Sequence, residues 1–184
     1  MDWILSLDQK ILIFIQDFLR FEWLTPLMKV ITSLGNSGIF WIVLGLVLLF
    51  TRKYRSAGFE ALLALLIGFI IVNLILKNAF HRIRPYEVVE GLKCLVAYPS
   101  DWSFPSGHTS SSIAAALAMF RTLPGKFGWP LIVLAILISL SRLYVGVHYP
   151  TDVIVGAVVG IFAGWASGKL AGCIRKRGAA KDES

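Results

Sequence analysis

Charge is what this sequence has least of. Only 16% of its 184 residues are Asp, Glu, Lys or Arg, against about 25% in soluble domains. With 57% hydrophobic residues and a mean hydropathy of +0.73, a soluble fold of this length would lack the polar side chains to cover itself. Cysteine is nearly absent. Cys94 and Cys173 are the two in the chain, far apart and without metal-type spacing, so neither a disulfide framework nor a cysteine metal site is expected. The first 20 residues lack a basic leading segment and a small-residue cleavage site, and Asp2, Asp8 and Asp17 interrupt them. No cleavable signal peptide is expected there. Acid is scarcer than base: 11 Asp and Glu against 18 Lys and Arg give a net charge of +7 and a pI near 9.7. In a soluble protein that excess points to nucleic acid. In a membrane protein, positively charged cytoplasmic loops and a basic pocket account for it, so no nucleic-acid partner is expected.

What the sequence does contain is a succession of apolar runs, and their lengths predict an all-α integral membrane protein of one domain, residues 1–184. Residues 3–19 read as an amphipathic helix with Ile4, Leu7, Ile11, Phe14, Ile15 and Phe18 in one stripe and Asp8 at its edge. It is too polar to span and reads as an interfacial helix, or as a surface helix packed on the bundle. Residues 21–34 and 39–50 flank a Gly-Asn-Ser-Gly break. Each is short for the roughly 20 residues that a span needs. They read as two crossings, the alternative being one broken span. Residues 57–80, 106–120, 129–145 and 150–174 supply four more helices, completing a six-helix bundle. Gly156, Gly160, Gly164 and Gly168 make a ladder suited to close helix contact.

Six crossings place both termini on one side. That side also receives Arg52, Lys53, Arg55, Arg121, Lys126, Arg175, Lys176, Arg177 and Lys181, so it is expected to be cytoplasmic. The polar segments around residues 81–104, the start of the 106–120 helix and the turn at His148 then share the extracytoplasmic face. A single crossing within 21–50 would keep those segments together but move the N-terminus to their side.

Three polar clusters occupy these segments. Lys77 and Arg84 pair a point charge with a bidentate fork, which suits a phosphate and equally suits interfacial anchoring. Ser106, Gly107 and His108 open a helix whose backbone N–H groups can receive an anion, or form an ordinary capped helix start. Arg142 ends a span; His148 and Asp152 lie four residues apart, close enough for the carboxylate to orient the imidazole. Asp152 can equally be an acid favoured at a helix N-terminus. Only one acidic residue falls within the three clusters and no His-Glu-x-x-His spacing exists, so metal chemistry is disfavoured and no cofactor is expected.

Lys77 to Pro85 is Lys-x6-Arg-Pro, Pro105 to His108 is Pro-Ser-Gly-His, and Ser141 to Asp152 is Ser-Arg-x5-His-x3-Asp. In residue type, order and spacing this set, within residues 77–152, resembles the type 2 phosphatidic-acid phosphatase family, which shares its site with vanadium haloperoxidases. The resemblance implies His148 as a nucleophile forming a phosphohistidine, Asp152 as its orienting partner and His108 as general acid. It implies Lys77, Arg84, Ser106, Gly107 and Arg142 as the phosphate cradle, and no metal. His81, Arg82 and Lys93 fall outside the motifs and read as bystanders. The implied activity is hydrolysis of a lipid phosphate or pyrophosphate in the cell membrane at the extracytoplasmic face, with undecaprenyl diphosphate as first choice. Phosphatidylglycerophosphate, phosphatidic acid, diacylglycerol pyrophosphate and lipid A phosphates are the alternatives, with a lipid-phosphate transporter as the non-enzymatic one. A haloperoxidase fits poorly, because its soluble scaffold does not suit these apolar runs. The motifs leave the lipid tail and the oligomeric state open.

Overall fold

The computed structural model describes residues 2–182. Among them it is all helical, without a strand. In chain order the helices are α1 (Asp2–Phe14), α2 (Leu24–Ser33), α3 (Ile39–Phe50), α4 (Arg55–Phe69), α5 (Lys77–Phe80), α6 (Pro85–Val88), α7 (Gly107–Phe120), α8 (Gly125–Tyr144) and α9 (Pro150–Asp182). A π-helical stretch, Ile70–Leu76, joins α4 to α5, and another, Ile15–Leu19, extends α1. Among the described residues three stretches are long and apolar enough to cross a membrane: Arg55–Val88, Gly125–Tyr144 and Pro150–Arg177. The chain is a multi-pass membrane protein.

The short helix α7 is the centre. At 14 residues it spans about 21 Å, less than a bilayer's hydrocarbon core. It needs no lipid match, because α4, α8 and α9 pack round it. Ala114, Ala115, Ala116 and Ala118 are fully buried, their small side chains letting neighbouring helices approach. The glycine ladder of α9 faces this helix: a Cβ at Gly156 would meet the Ser106 carbonyl at 2.7 Å, and one at Gly160 the Ser110 carbonyl at 2.8 Å. At the far end from His148, the buried Glu60 carboxylate takes Arg121 at 3.2 Å and Arg175 at 3.0 Å, tying α4, α7 and α9 together.

Two expectations change. First, α2 and α3, expected as two crossings with one broken span as the alternative, are helices of 10 and 12 residues. They make a bent pair, 46° apart, across the break at residues 34–38. Ser37 and Gly38 there adopt left-handed backbone (φ +52° and +66°). Second, α1 is docked on the bundle at the end that carries His148. Asp8 is 2% exposed, and its Oδ1 accepts from the Thr151 N–H at 3.1 Å, at the start of α9. Leu12 packs beside Val89, Leu92 and Tyr149. Asp8 therefore lies on the buried face, while Leu7, Phe14 and Phe18 of the apolar stripe point outward. α1 and the Arg175 region of α9 thus sit at opposite ends of the bundle.

Candidate active site

Each motif residue reaches the site through a local backbone feature. The π-helical stretch carries the chain into α5, whose first residue is Lys77. His81 ends α5 with a left-handed φ of +44°. Arg84 is extended (φ −75°, ψ 150°), as a residue before proline is obliged to be. Ser106 caps α7, its Oγ accepting from the Thr109 N–H at 3.4 Å. Arg142 lies in the last turn of α8. Gly146, at φ +79°, lets the chain turn sharply so that His148 comes back over the bundle before Pro150 opens α9. A Cβ at Gly146 would also strike the Lys93 carbonyl at 2.9 Å.

These elements enclose a cavity of about 950 Å³. Its lining includes Lys77, Arg84, Asp101, His108, Arg142 and His148, together with apolar side chains such as Leu62, Leu66 and Phe69. Lys77, Arg84, Arg142 and His148 are each buried, at most 6% exposed. So much buried positive charge needs an anion. Asp101 supplies one: its carboxylate is ion-paired with Lys77 and, at 2.6 Å, with Arg84 Nη2. Burial pushes the Asp101 carboxyl up, but Lys77 and Arg84 outweigh it and hold it at about 2. Arg84 also donates to the Val147 carbonyl at 2.7 Å, locking the guanidinium beside His148. Arg142 Nη1 donates to Thr32 Oγ1 at 2.6 Å, and its buried Nε has no partner among the described residues.

His148 is held between charges of opposite sign. Its Nδ1 lies 3.4 Å from Asp152 Oδ2, and its Nε2 lies 3.5 Å from Arg84 Nη1. Burial, joined by Arg84 and Arg142 and opposed by Asp152, lowers the His148 pKa to about 4. The ring is therefore neutral near pH 7. With the proton on Nδ1 facing the carboxylate, the Nε2 lone pair is directed towards the cationic cluster. His108 Nε2 is 3.0 Å from Asn36 Oδ1. The α2–α3 break passes so close to this ring that a Cβ at Gly35 would fall 2.6 Å from it.

The structure brings Lys77, Arg84, Gly107, His108, Arg142 and His148 to one cavity wall, with Asp152 behind His148. Ser106 is apart from them: it is fully buried, does not line the cavity, and its Oγ is engaged by Thr109 N–H and Oγ1. Sequence reasoning missed Asp101, Ser103, Asn36 and Arg82. Ser103 Oγ donates to Asp152 Oδ2 at 2.5 Å. Arg82 is no bystander, since it bridges Asp152 and Asp8 at 2.6 and 2.7 Å. The one signal available in the sequence was that Arg82 is a cation two residues before a motif arginine.

Known proteins resemble this chain in sequence and in fold. The chain is 33% identical over 145 residues to an undecaprenyl-diphosphatase of Sulfolobus acidocaldarius, covering 78% of this chain and 69% of that one. It is 37% identical over 97 residues to the undecaprenyl-diphosphatase BcrC of Bacillus subtilis, covering 52% and 49%. The crystal structure of a transmembrane PAP2-type phosphatidylglycerolphosphate phosphatase from Bacillus subtilis superposes with a TM-score of 0.75 at 28% identity, covering 95% of this chain and 89% of that one. Residues 57–172, which contain all three motif segments, match the PAP2 superfamily. This chain therefore belongs to the PAP2 superfamily, the type 2 phosphatidic-acid phosphatase family that its motifs resemble.

Proposed function

We propose that this protein is a membrane lipid phosphatase that hydrolyses undecaprenyl diphosphate through a phosphohistidine on His148. The observation that carries the reading is the placement of His148 between Asp152 and Arg84 on the wall of a cavity that also holds His108. Lys77, Arg84 and Arg142 neutralise the phosphate oxygens in place of Asp101. The Nε2 lone pair of His148 attacks phosphorus while Asp152 takes up the positive charge growing on the ring. The bond from phosphorus to the bridging oxygen breaks, and His108 gives that oxygen a proton, releasing undecaprenyl phosphate. A water, losing its proton to His108, then attacks phosphorus. The N–P bond breaks, inorganic phosphate leaves, and His148 is restored. Ser106 and Gly107 serve this step by setting the start of α7 against the phosphate.

The apolar lining of the cavity suits a lipid tail, and the names borne by two relatives favour the polyprenyl diphosphate. We read α2 and α3 together as one broken span, giving five crossings with α4, α7, α8 and α9. Arg52, Lys53, Arg55, Arg121, Lys126 and Arg175 gather at the end away from His148, which favours an extracytoplasmic active site and a cytoplasmic C-terminal end. The outward stripe of α1 then lies in the membrane interface.

The test is phosphate release in detergent from undecaprenyl diphosphate, phosphatidylglycerophosphate, phosphatidic acid and lipid A. The expected result is the highest kcat/KM for undecaprenyl diphosphate, and none for any substrate with His148→Ala. A higher value for another lipid reassigns the substrate. Release that survives His148→Ala overturns the mechanism, and no release by the wild type favours a binding or transport protein.

A further inference from the structure

We propose that Asp8 and Arg82 are positioning residues for Asp152, so that the N-terminal helix α1 is a working part of the active site. The proposal rests on the phosphatase reading above.

The Asp152 carboxylate is satisfied on both oxygens, and the two sets of partners differ in origin. Oδ2 faces the reaction: it accepts from Ser103 Oγ at 2.5 Å and from the Tyr149 N–H at 2.9 Å, and lies 3.4 Å from His148 Nδ1. Oδ1 faces away, and accepts from Arg82 Nη1 at 2.6 Å. The same Nη1 reaches Thr151 Oγ1 at 2.7 Å, and Nη2 reaches Asp8 Oδ2 at 2.7 Å. The Arg82 guanidinium lies over the Tyr149 ring, 3.9 Å from its centroid. Asp8 Oδ2 also accepts from Thr151 Oγ1 at 2.5 Å. A planar fork held at four points cannot swing, so Asp152 is fixed in the orientation that meets His148. Neither Asp8 nor Arg82 lines the substrate cavity.

The charges give the arrangement its sense. Arg82 alone would cancel Asp152 and leave His148 without a counter-charge as its ring becomes positive. Asp8 shares Arg82, so the group Asp8, Arg82 and Asp152 keeps one net negative charge behind the imidazole. Against this, His148 is faced by Arg84 before α6, Arg142 from α8 and His108 from α7. With three basic groups on the substrate side, the retained negative charge behind the ring is what favours the phosphohistidine.

The experiment is steady-state kinetics of lipid diphosphate hydrolysis against pH, on the full chain in detergent, for wild type, Asp8→Asn, Asp8→Glu, Arg82→Gln, Arg82→Lys and Leu12→Ala. Asp8→Asn is expected to lower kcat about ten- to a hundred-fold, the loss typical of outer partners that orient a reactive histidine, with KM changed less than about two-fold. The acid limb of kcat should move to lower pH in Asp8→Asn and to higher pH in Arg82→Gln, because the two remove opposite charges behind His148. Asp8→Glu should recover most of the lost rate. Arg82→Lys, which keeps charge and folding but lacks the fork, should lose kcat without a pH shift. Leu12→Ala loosens α1 without touching the ion pairs and should leave the limb in place. Unchanged kcat in folded Asp8→Asn overturns the proposal, as does the same kcat loss in Leu12→Ala with no limb shift in any variant. If the wild type releases no phosphate from any lipid, the phosphatase reading itself fails and this proposal with it.

Discussion

The most informative single change is Asp101→Asn. In the structure the Asp101 carboxylate occupies the space between Lys77 and Arg84 that a substrate phosphate needs. Substrate binding is then an exchange of one anion for another, and Asp101 works as an internal competitor. A carboxyl held at about 2 instead of its ordinary 3.8 corresponds to roughly 2.4 kcal/mol of preference for the ionised form. The side chain is 50% exposed, so solvent screening cuts the useful part to about 1 kcal/mol, or about five-fold in a binding constant. Asp101→Asn should therefore lower the inhibition constant of inorganic phosphate, and the KM for lipid diphosphate, about five-fold. It should also lower the Tm of the ligand-free protein, since Lys77 and Arg84 lose their counter-charge, and restore it when phosphate is added. Both constants are measured by phosphate release in detergent, and Tm by thermal unfolding with and without phosphate. An unchanged or raised phosphate inhibition constant would show that the anion binds elsewhere, and the reasoning from Asp101 as a stand-in would fail.

Four further outcomes are expected. His148 titrates at about 4 in the folded chain and near 6.5 when unfolded, so folding favours its neutral form. Its contribution is complete above pH 6.5 and is lost as pH falls towards 4, up to about 3 kcal/mol; unfolding of His148→Gln should be less acid-sensitive than wild type between those limits, and equal sensitivity would refute it. Arg142→Lys keeps the charge but not the fork, and should cost about ten- to a hundred-fold in kcat/KM; unchanged kcat/KM would mean that Arg142 only anchors to Thr32. Gly160→Val would drive side-chain atoms into the Ser110 carbonyl and Ile113, costing about 1–3 kcal/mol, and an unaltered Tm would mean that α7 and α9 are less tightly packed than described. EDTA should leave phosphate release intact, and strong inhibition reversed by added metal would call for a metal in the mechanism.

Periodicity and apolar length were enough to give the membrane class, most helix positions and the α9 glycine ladder. Backbone hydrogen bonding inside each apolar run is local, and bilayer thickness constrains run length. The three motifs singled out His148, Asp152, His108, Lys77, Arg84 and Arg142 through their resemblance in type, order and spacing to the family's pattern. Ser106 was legible as a helix cap and as a phosphate ligand alike, and its hydroxyl is engaged as the cap.

The rest was decided only in three dimensions. Arg82 meets Asp152 across 70 residues and Asp8 across 74, and no sequence spacing records such a pair. The docking of α1 depends on the buried Asp8 finding the free N–H of Thr151, a partner supplied by α9, whereas amphipathicity alone placed Asp8 only at the edge of the apolar stripe. The region of α2 and α3 reads from the sequence as two crossings or one broken span, and only the fold shows that its bend passes the ring of His108 at Gly35. Sequence marked the motif residues, through their resemblance to the family's pattern; the tertiary structure decided which distant charges hold them in place, because buried charges must find partners wherever the fold supplies them.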